Sequence, residues 1–252
     1  MPEPATDGGP AVLVTGASGD IGQRVVAVVA ARGCRVVTMD RTPLPGDVAA
    51  LVCREITVDL TDDAAVAGHL EAADLPAVRH VIAVAGGGDV DELSEQDPAT
   101  ECLDIFSRVV ANNLHAAFVT VRNTVPLLRR QPGDRSITFV GSINAYGGYG
   151  APGYSAAKAG LSGLAAALAT PLGADGIRIN CLALGTVDTA NLRYLAELRG
   201  RRHDLAAIAA KAPLQRVLTP DDVARSLTAM ALDMPGLTGT TVVLDNGQTL
   251  IR

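Results

Sequence analysis

The sequence predicts an α/β protein built on a doubly wound parallel sheet with helices on both faces. Three observations carry that prediction. Short apolar, β-branched runs recur along the whole chain, as strands buried on both faces require. Ala/Leu-rich segments at helical spacing separate them, and this alternation places the strands parallel. The first unit reads strand, Gly-rich turn, helix, strand, acid, which is the pattern of a crossover that holds a ligand at its turn.

In order, residues 11–14 form the first apolar run, and Thr15-Gly16-Ala17-Ser18-Gly19-Asp20-Ile21-Gly22 follows as the turn. Residues 23–32 read as a buried helix, and 35–39 as a second strand ending at Asp40. A third strand spans 55–59, a helix 62–70, and a fourth strand 79–85 is closed by Gly86-Gly87-Gly88. Residues 100–130 make a long helical stretch, with an interruption expected near Pro126 and with Asn112 and Asn113 amid apolar positions. Ser136-Ile137-Thr138-Phe139-Val140 is a strand that runs into a Gly-rich loop, and a helix carrying Tyr154 and Lys158 comes next.

Another buried strand covers 177–183, leading into 184–189. Residues 190–215 are charged and Ala-rich at helical spacing, and 186–215 are expected to form a lid over the substrate. Thr219-Pro220-Asp221-Asp222 is a helix start, with a threonine cap, proline at the first position and acids in the first turn. Residues 240–245 are the last strand. No composition break divides 11–252, so one domain is expected there, behind a short disordered lead over 1–10.

Of the 252 residues 48% are apolar, ample for a core, and the net charge of −6 disfavours nucleic acid as a partner. The densest basic cluster, at 199–202, reads as a solvated loop. No apolar run approaches membrane-spanning length, and the amino terminus lacks the features of a signal peptide. The cysteines Cys34, Cys53, Cys102 and Cys181 form no Cys-x-x-Cys. Buried free thiols are expected at Cys34, Cys53 and Cys181, which fits a reducing, cytoplasmic setting. The histidines lack metal-ligand spacing, so no metal site is predicted.

Two constellations carry chemistry. Asp40 lies 18 residues beyond Gly22, close to the ~20 at which an acid grips the ribose hydroxyls of a dinucleotide. Glycines let backbone approach a pyrophosphate, and the following helix offers free N–H groups. Asp40 would repel a 2′-phosphate, which outweighs the cation of Arg41 and points to NAD. The second constellation is Tyr154 and Lys158, on one helical face at i, i+4. A phenol has a reference pKa of ~10, and a nearby ammonium is expected to bring it toward the working range. Of the four tyrosines only Tyr154 has a base four positions on; Tyr146, Tyr149 and Tyr194 are followed there by Gly150, Gly153 and Leu198. Ser142, on the preceding loop, can hydrogen-bond a substrate oxygen while the tyrosine exchanges a proton.

Together these motifs resemble the short-chain dehydrogenase/reductase family, in its compact one-domain branch, over essentially the whole length. The resembling segments are the turn at 15–22, Asp40, Asp59-Leu60, Asn113-Leu114, Ser142, Tyr154 with Lys158, Leu184-Gly185-Thr186 with Thr189, Thr238-Gly239 and Leu244-Asp245-Asn246-Gly247. The resemblance implies a Rossmann-type single domain that is a homotetramer or homodimer, and hydride transfer between NAD and a secondary alcohol or its ketone. It implies Tyr154 as general acid/base, Lys158 as its modulator, Ser142 as the polarising hydroxyl and Asn113 as support for proton exit. The cofactor contacts it implies are Gly16, Ser18, Asp20, Ile21, Asp40, Arg41, Asp59, Leu60, Ala85, Gly86, Tyr154, Lys158, Gly185, Thr186, Val187 and Thr189. Ser142, Ile143, Asn144, Tyr149 and Tyr154 are the implied substrate contacts.

The chain departs from the family pattern in four places, one of them a loop between Ser142 and Tyr154 that is one residue shorter than usual. Asp20 stands at the usual middle glycine, Ala83-Val84-Ala85-Gly86 replaces Asn-Asn-Ala-Gly, and Leu184 replaces proline. The spacing of Gly16, Gly19 and Gly22 also fits the longer, sugar-nucleotide-modifying branch, so an epimerase or dehydratase with tightly held NAD is one alternative. A non-catalytic dinucleotide sensor on the same fold is another.

Overall fold

The computed structural model describes residues 9–94, 97–100, 102–147, 150–198 and 204–250. In chain order the elements are β1 (Ala11–Thr15), α1 (Asp20–Ala31), β2 (Arg35–Asp40), α2 (Gly46–Ala49), β3 (Arg54–Thr57), α3 (Asp63–Ala72), β4 (Val78–Ala83), α4 (Val90–Ser94) and α5 (Leu103–Val110). A π turn, Ala111–His115, joins α5 to α6 (Ala116–Arg129). After it come β5 (Arg135–Ser142), α7 (Pro152–Ala174), β6 (Ile177–Leu184), α8 (Ala190–Leu198), α9 (Leu205–Lys211), α10 (Pro220–Leu232) and β7 (Thr241–Leu244).

The strands form one sheet in the order β3-β2-β1-β4-β5-β6-β7, and every pairing is parallel. Side chains alternate between the two faces. Leu13, Val37, Ile137, Phe139 and Ile179 pack with Val66, Leu128 and Leu161 from α3, α6 and α7. Val12, Val14, Val36, Ile82 and Leu182 pack on the opposite face with Val25 and Val29 of α1 and Leu227 and Met230 of α10. β1 and β6 are buried throughout, which is why they read as unbroken apolar runs.

The winding reverses at β1, which has β2 on one side and β4 on the other. In such sheets the crevice outside the carboxyl ends at this reversal is where ligands bind. The Gly-rich turn after β1 and the glycines after β4 flank it.

Three expectations are corrected. The 100–130 helix is interrupted at the π turn around Asn113, not at Pro126, which lies inside α6. Pro126 is exposed, as is Arg122 one turn earlier, so the carbonyl left without a donor faces water. Cys53 is exposed, Cys34 is half-buried, and only Cys181 of the three is buried. The start of α10 is as expected and adds a capping box, in which Thr219 and Asp222 satisfy each other's main-chain N–H. Residues 1–8 of the expected lead, Tyr149 and the cluster at 199–202 lie outside the described residues. Among the described residues no helix is long and apolar enough to cross a membrane.

Candidate active site

At the reversal, Gly16 has φ +67°, and a Cβ there would sit 2.5 Å from the Ala85 main-chain nitrogen. Gly22 is equally constrained, since its Cβ would lie 2.1 Å from the Gly16 carbonyl oxygen. The turn can run this close to the β4 end only with glycine at both positions. Gly86 has φ +130°, and a Cβ would meet Asn113 Oδ1 at 2.5 Å and Lys158 Nζ at 3.3 Å. Gly86 therefore packs its main chain directly against Asn113 and Lys158.

Asp40 ends β2 with its carboxylate turned toward the turn. Oδ2 accepts from the Ser18 main-chain N–H at 2.9 Å and from its hydroxyl at 2.8 Å, and Oδ1 accepts from the Thr42 N–H at 3.0 Å. Arg41 beside it is exposed. Asp59 Oδ1 accepts from the N–H and hydroxyl of Thr61, both at 2.8 Å, and these bonds hold the carboxyl below the usual range. Leu60 is buried behind it, and Ile21 packs against the core from the turn.

Asp20 has a further partner across the crevice. Its Oδ2 accepts from the Ala190 main-chain N–H at the start of α8, joining the turn to the lid segment. In that segment Gly185 donates to the Leu244 carbonyl, Thr186 to Gln248 Oε1, and Val187 pairs with Leu218. The Thr189 hydroxyl caps α8 by accepting from the Leu192 N–H at 3.1 Å.

The chemical groups converge at the ends of β5 and α7. Ser142 is the last residue of β5 and 9% exposed. Its Oγ accepts from the Asn144 N–H at 3.2 Å, and its side chain is near enough to the Tyr154 phenol to lower its pKa. Lys158 is buried; its Nζ donates to the Val140 carbonyl at 3.0 Å and stands 5.5 Å from the centre of the Tyr154 ring. Asn113 reaches across from the π turn. Its amide donates to the carbonyls of Gly87 and Val109, both at 3.0 Å, and accepts from the Gly87 N–H at 2.9 Å.

The electrostatics reverse one expectation. Burial pushes the Tyr154 phenol up to about 12, the Ser142 side chain draws it partly back, and the Glu92 carboxylate raises it further. Lys158 does not bring it down here, because its ammonium is aimed at the Val140 carbonyl and burial lowers its own pKa to about 8.

Of the expected substrate contacts, Ser142 and Tyr154 meet. Asn144 is half-buried beside Gly150, whose Cβ would lie 2.3 Å from the Asn144 amide nitrogen. Ile143 is only 3% exposed and offers almost no surface to a ligand. One participant was missed in the sequence: Glu92 of α4, 3% exposed, whose Oε1 accepts from the Tyr154 main-chain N–H at 2.8 Å. No local pattern marks it, since the two residues lie far apart in the chain.

The reversed sheet, the Gly-rich turn at its reversal and the Ser-Tyr-Lys cluster define a Rossmann-type protein. Comparisons agree. The profile of the enoyl-(acyl carrier protein) reductase family matches residues 16–249. L-rhamnose 1-dehydrogenase (NAD(P)(+)) of Azotobacter vinelandii is 32% identical over 94% of this chain and 95% of its own. Cis-4-hydroxycyclohexanecarboxylate dehydrogenase of Sinomonas cyclohexanicum is 29% identical over 95% and 96%. An oxidoreductase structure from Burkholderia thailandensis superimposes with a TM-score of 0.82 at 32% identity, covering 97% of this chain and 94% of that one. The chain belongs to the short-chain dehydrogenase/reductase family of oxidoreductases.

Proposed function

We propose that this protein is an NAD-dependent oxidoreductase interconverting a secondary alcohol and its ketone, with Tyr154 as the general acid/base. The observation that carries the reading is the meeting of Ser142, Tyr154 and Lys158 beside the crevice bounded by Gly16 and Gly86. The Gly-rich turn opens α1, whose first N–H groups and glycine main chain suit a pyrophosphate. Asp40, fixed by three donors, suits ribose hydroxyls and opposes a 2′-phosphate, which supports NAD. Asp59, Gly185, Thr186 and Thr189 would complete the cofactor's contacts. When bound, the nicotinamide supplies the hydride chemistry.

The chain's own residues handle orientation and the proton. Ser142 donates to the substrate oxygen and so fixes it against the phenol. With its pKa near 12, Tyr154 is protonated at neutral pH and serves as the donor to a developing alkoxide. Alcohol oxidation needs the phenolate, so it speeds up as pH rises. Lys158 holds charge behind the ring, and the π turn at Asn113 passes the proton outward.

Two of the similar proteins are named as dehydrogenases of L-rhamnose and of cis-4-hydroxycyclohexanecarboxylate, which makes hydroxylated rings the first compounds to try. With either as probe, Tyr154→Phe should lower NAD reduction by about 10²–10⁴-fold while NADH still binds. Turnover retained in that variant removes Tyr154 from the role. A homotetramer or homodimer is supported by the apolar groove of Val110, Leu114, Phe118 and Leu164 along α5, α6 and α7, with Phe118 44% exposed. The free thiols of Cys53 and Cys102, both exposed, fit a reducing cytoplasm.

A further inference from the structure

α7 begins without a local cap. Its N-cap residue is Ala151, and no side chain of its own turn satisfies the first N–H groups. Such groups need acceptors from elsewhere. Tyr154, in the first turn, finds one in Glu92 Oε1 at 2.8 Å. Glu92 is 3% exposed, and a carboxylate is taken that far from water only where partners hold it. Gly153 leaves room for it, since a Cβ there would lie 2.8 Å from the same oxygen.

α4, which carries Glu92, is itself fixed. Asp89 Oδ1 accepts from the N–H groups of Asp91 and Glu92 at 2.9 and 3.3 Å. Arg108 of α5 donates to Asp89 at 3.0 Å and to Asp91 at 2.6 Å. The loop before α4 is held by Asn113 through Gly87. A continuous set of polar contacts thus runs from α5 and the π turn, through α4, to the main chain of Tyr154.

We propose that Glu92 is a positioning residue, whose carboxylate supplies the missing cap of α7 and thereby sets where the Tyr154 phenol stands relative to Ser142 and Lys158. This rests on the assignment of Tyr154 as acid/base. A Ser, Thr or Asp at position 151 would cap the helix without burying a carboxylate. What the remote cap adds is a tie between α4 and the main chain of the reacting residue. Among the described residues, Lys158 of α7 and Ser142 of β5 act on the phenol from its own side, and the Glu92 carboxylate of α4 acts on it from the main-chain side, with Asp89 and Arg108 one contact further out. The negative charge of Glu92 opposes the phenolate, so its contribution is geometric.

The full chain labelled with [13Cζ]tyrosine tests this by NMR. It contains four tyrosines, and Tyr154→Phe identifies the signal of Tyr154. Glu92→Gln keeps the acceptor and loses the charge. It should leave that resonance at its wild-type position at pH 7 and lower the onset of its ionisation by roughly one pH unit. Glu92→Ala loses both and should displace or broaden the resonance at pH 7. With a probe that turns over, it should lower kcat about tenfold at unchanged NADH affinity, while Glu92→Gln holds kcat near wild type. Should the alanine variant fail to fold, Glu92→Asp, shorter by one methylene, is expected to displace the resonance in the same way. A Tyr154 signal unmoved at pH 7 in the alanine or aspartate variant overturns the proposal. Failure of the acid/base assignment reads separately, as wild-type turnover by Tyr154→Phe.

Discussion

Replacing Gly86 by alanine tests whether the crevice is built as described. Two costs follow from the geometry. A φ of +130° is open to glycine and strained for any L side chain, at about 1–3 kcal/mol. The new Cβ would also lie 2.5 Å from Asn113 Oδ1. That amide must then withdraw from Gly87, giving up bonds of 2.9 and 3.0 Å at about 1 kcal/mol each. Together Gly86→Ala should destabilise the fold by about 3–5 kcal/mol, a large part of the ~5–15 kcal/mol typical of a folded protein. Lys158 Nζ, 3.3 Å from the same Cβ, is displaced as well, so NADH affinity should fall at least about tenfold. The neighbouring Gly87→Ala is the control, because its Cβ would find nothing nearer than Asn191 Nδ2 at 3.8 Å. Urea unfolding followed by circular dichroism, with NADH fluorescence titration, reads both effects. If Gly86→Ala behaves like Gly87→Ala in both measurements, the tight approach of Gly86 to Asn113 and Lys158 is wrong.

Two other predictions concern charge. His80 is buried against Ser136, whose hydroxyl donates to the Ala231 carbonyl at 3.0 Å, so His80 Nδ1 is the donor in their 3.0 Å contact, and burial keeps the ring neutral. Burial pushes its pKa down to about 4 from 6.5, so on acidification the unfolded chain takes the proton first and stability falls below pH 6.5. Between pH 6.5 and 5 the loss should be about 2 kcal/mol in urea unfolding, and it should vanish in His80→Gln; an equal slope in both proteins contradicts the neutral pairing. At the cofactor site, Asp40→Asn removes the charge and keeps the shape. It should weaken NADH about tenfold and narrow the gap to NADPH in fluorescence titrations, whereas an unchanged ratio of the two affinities would take selection away from Asp40.

How much of this was legible beforehand depends on sequence distance. The sheet could be read because parallel strands buried on both faces leave unbroken apolar runs, as β6 shows from Ile177 to Leu184. The turn and Asp40 belong to one crossover, and Tyr154 and Lys158 to one helix, so short-range spacing revealed them. What the Lys158 ammonium does was not legible, because that depends on where Nζ points, and it points at the Val140 carbonyl. The break at Asn113 was masked by Pro126, the stronger local signal, yet Pro126 lies on the wet face of α6, where a missing bond costs little. Glu92 sits in an acid-rich segment that reads as solvated surface; only folding brings it under the start of α7. Asp20 is the sharpest case. Its place in the turn suggested cofactor contact; that its carboxylate also caps α8 from 170 residues away left no trace in local spacing. A glycine there, the family's usual choice, could form no such bond. The substitution therefore reads as an added link between the turn and the lid segment, at the mouth of the crevice both of them border.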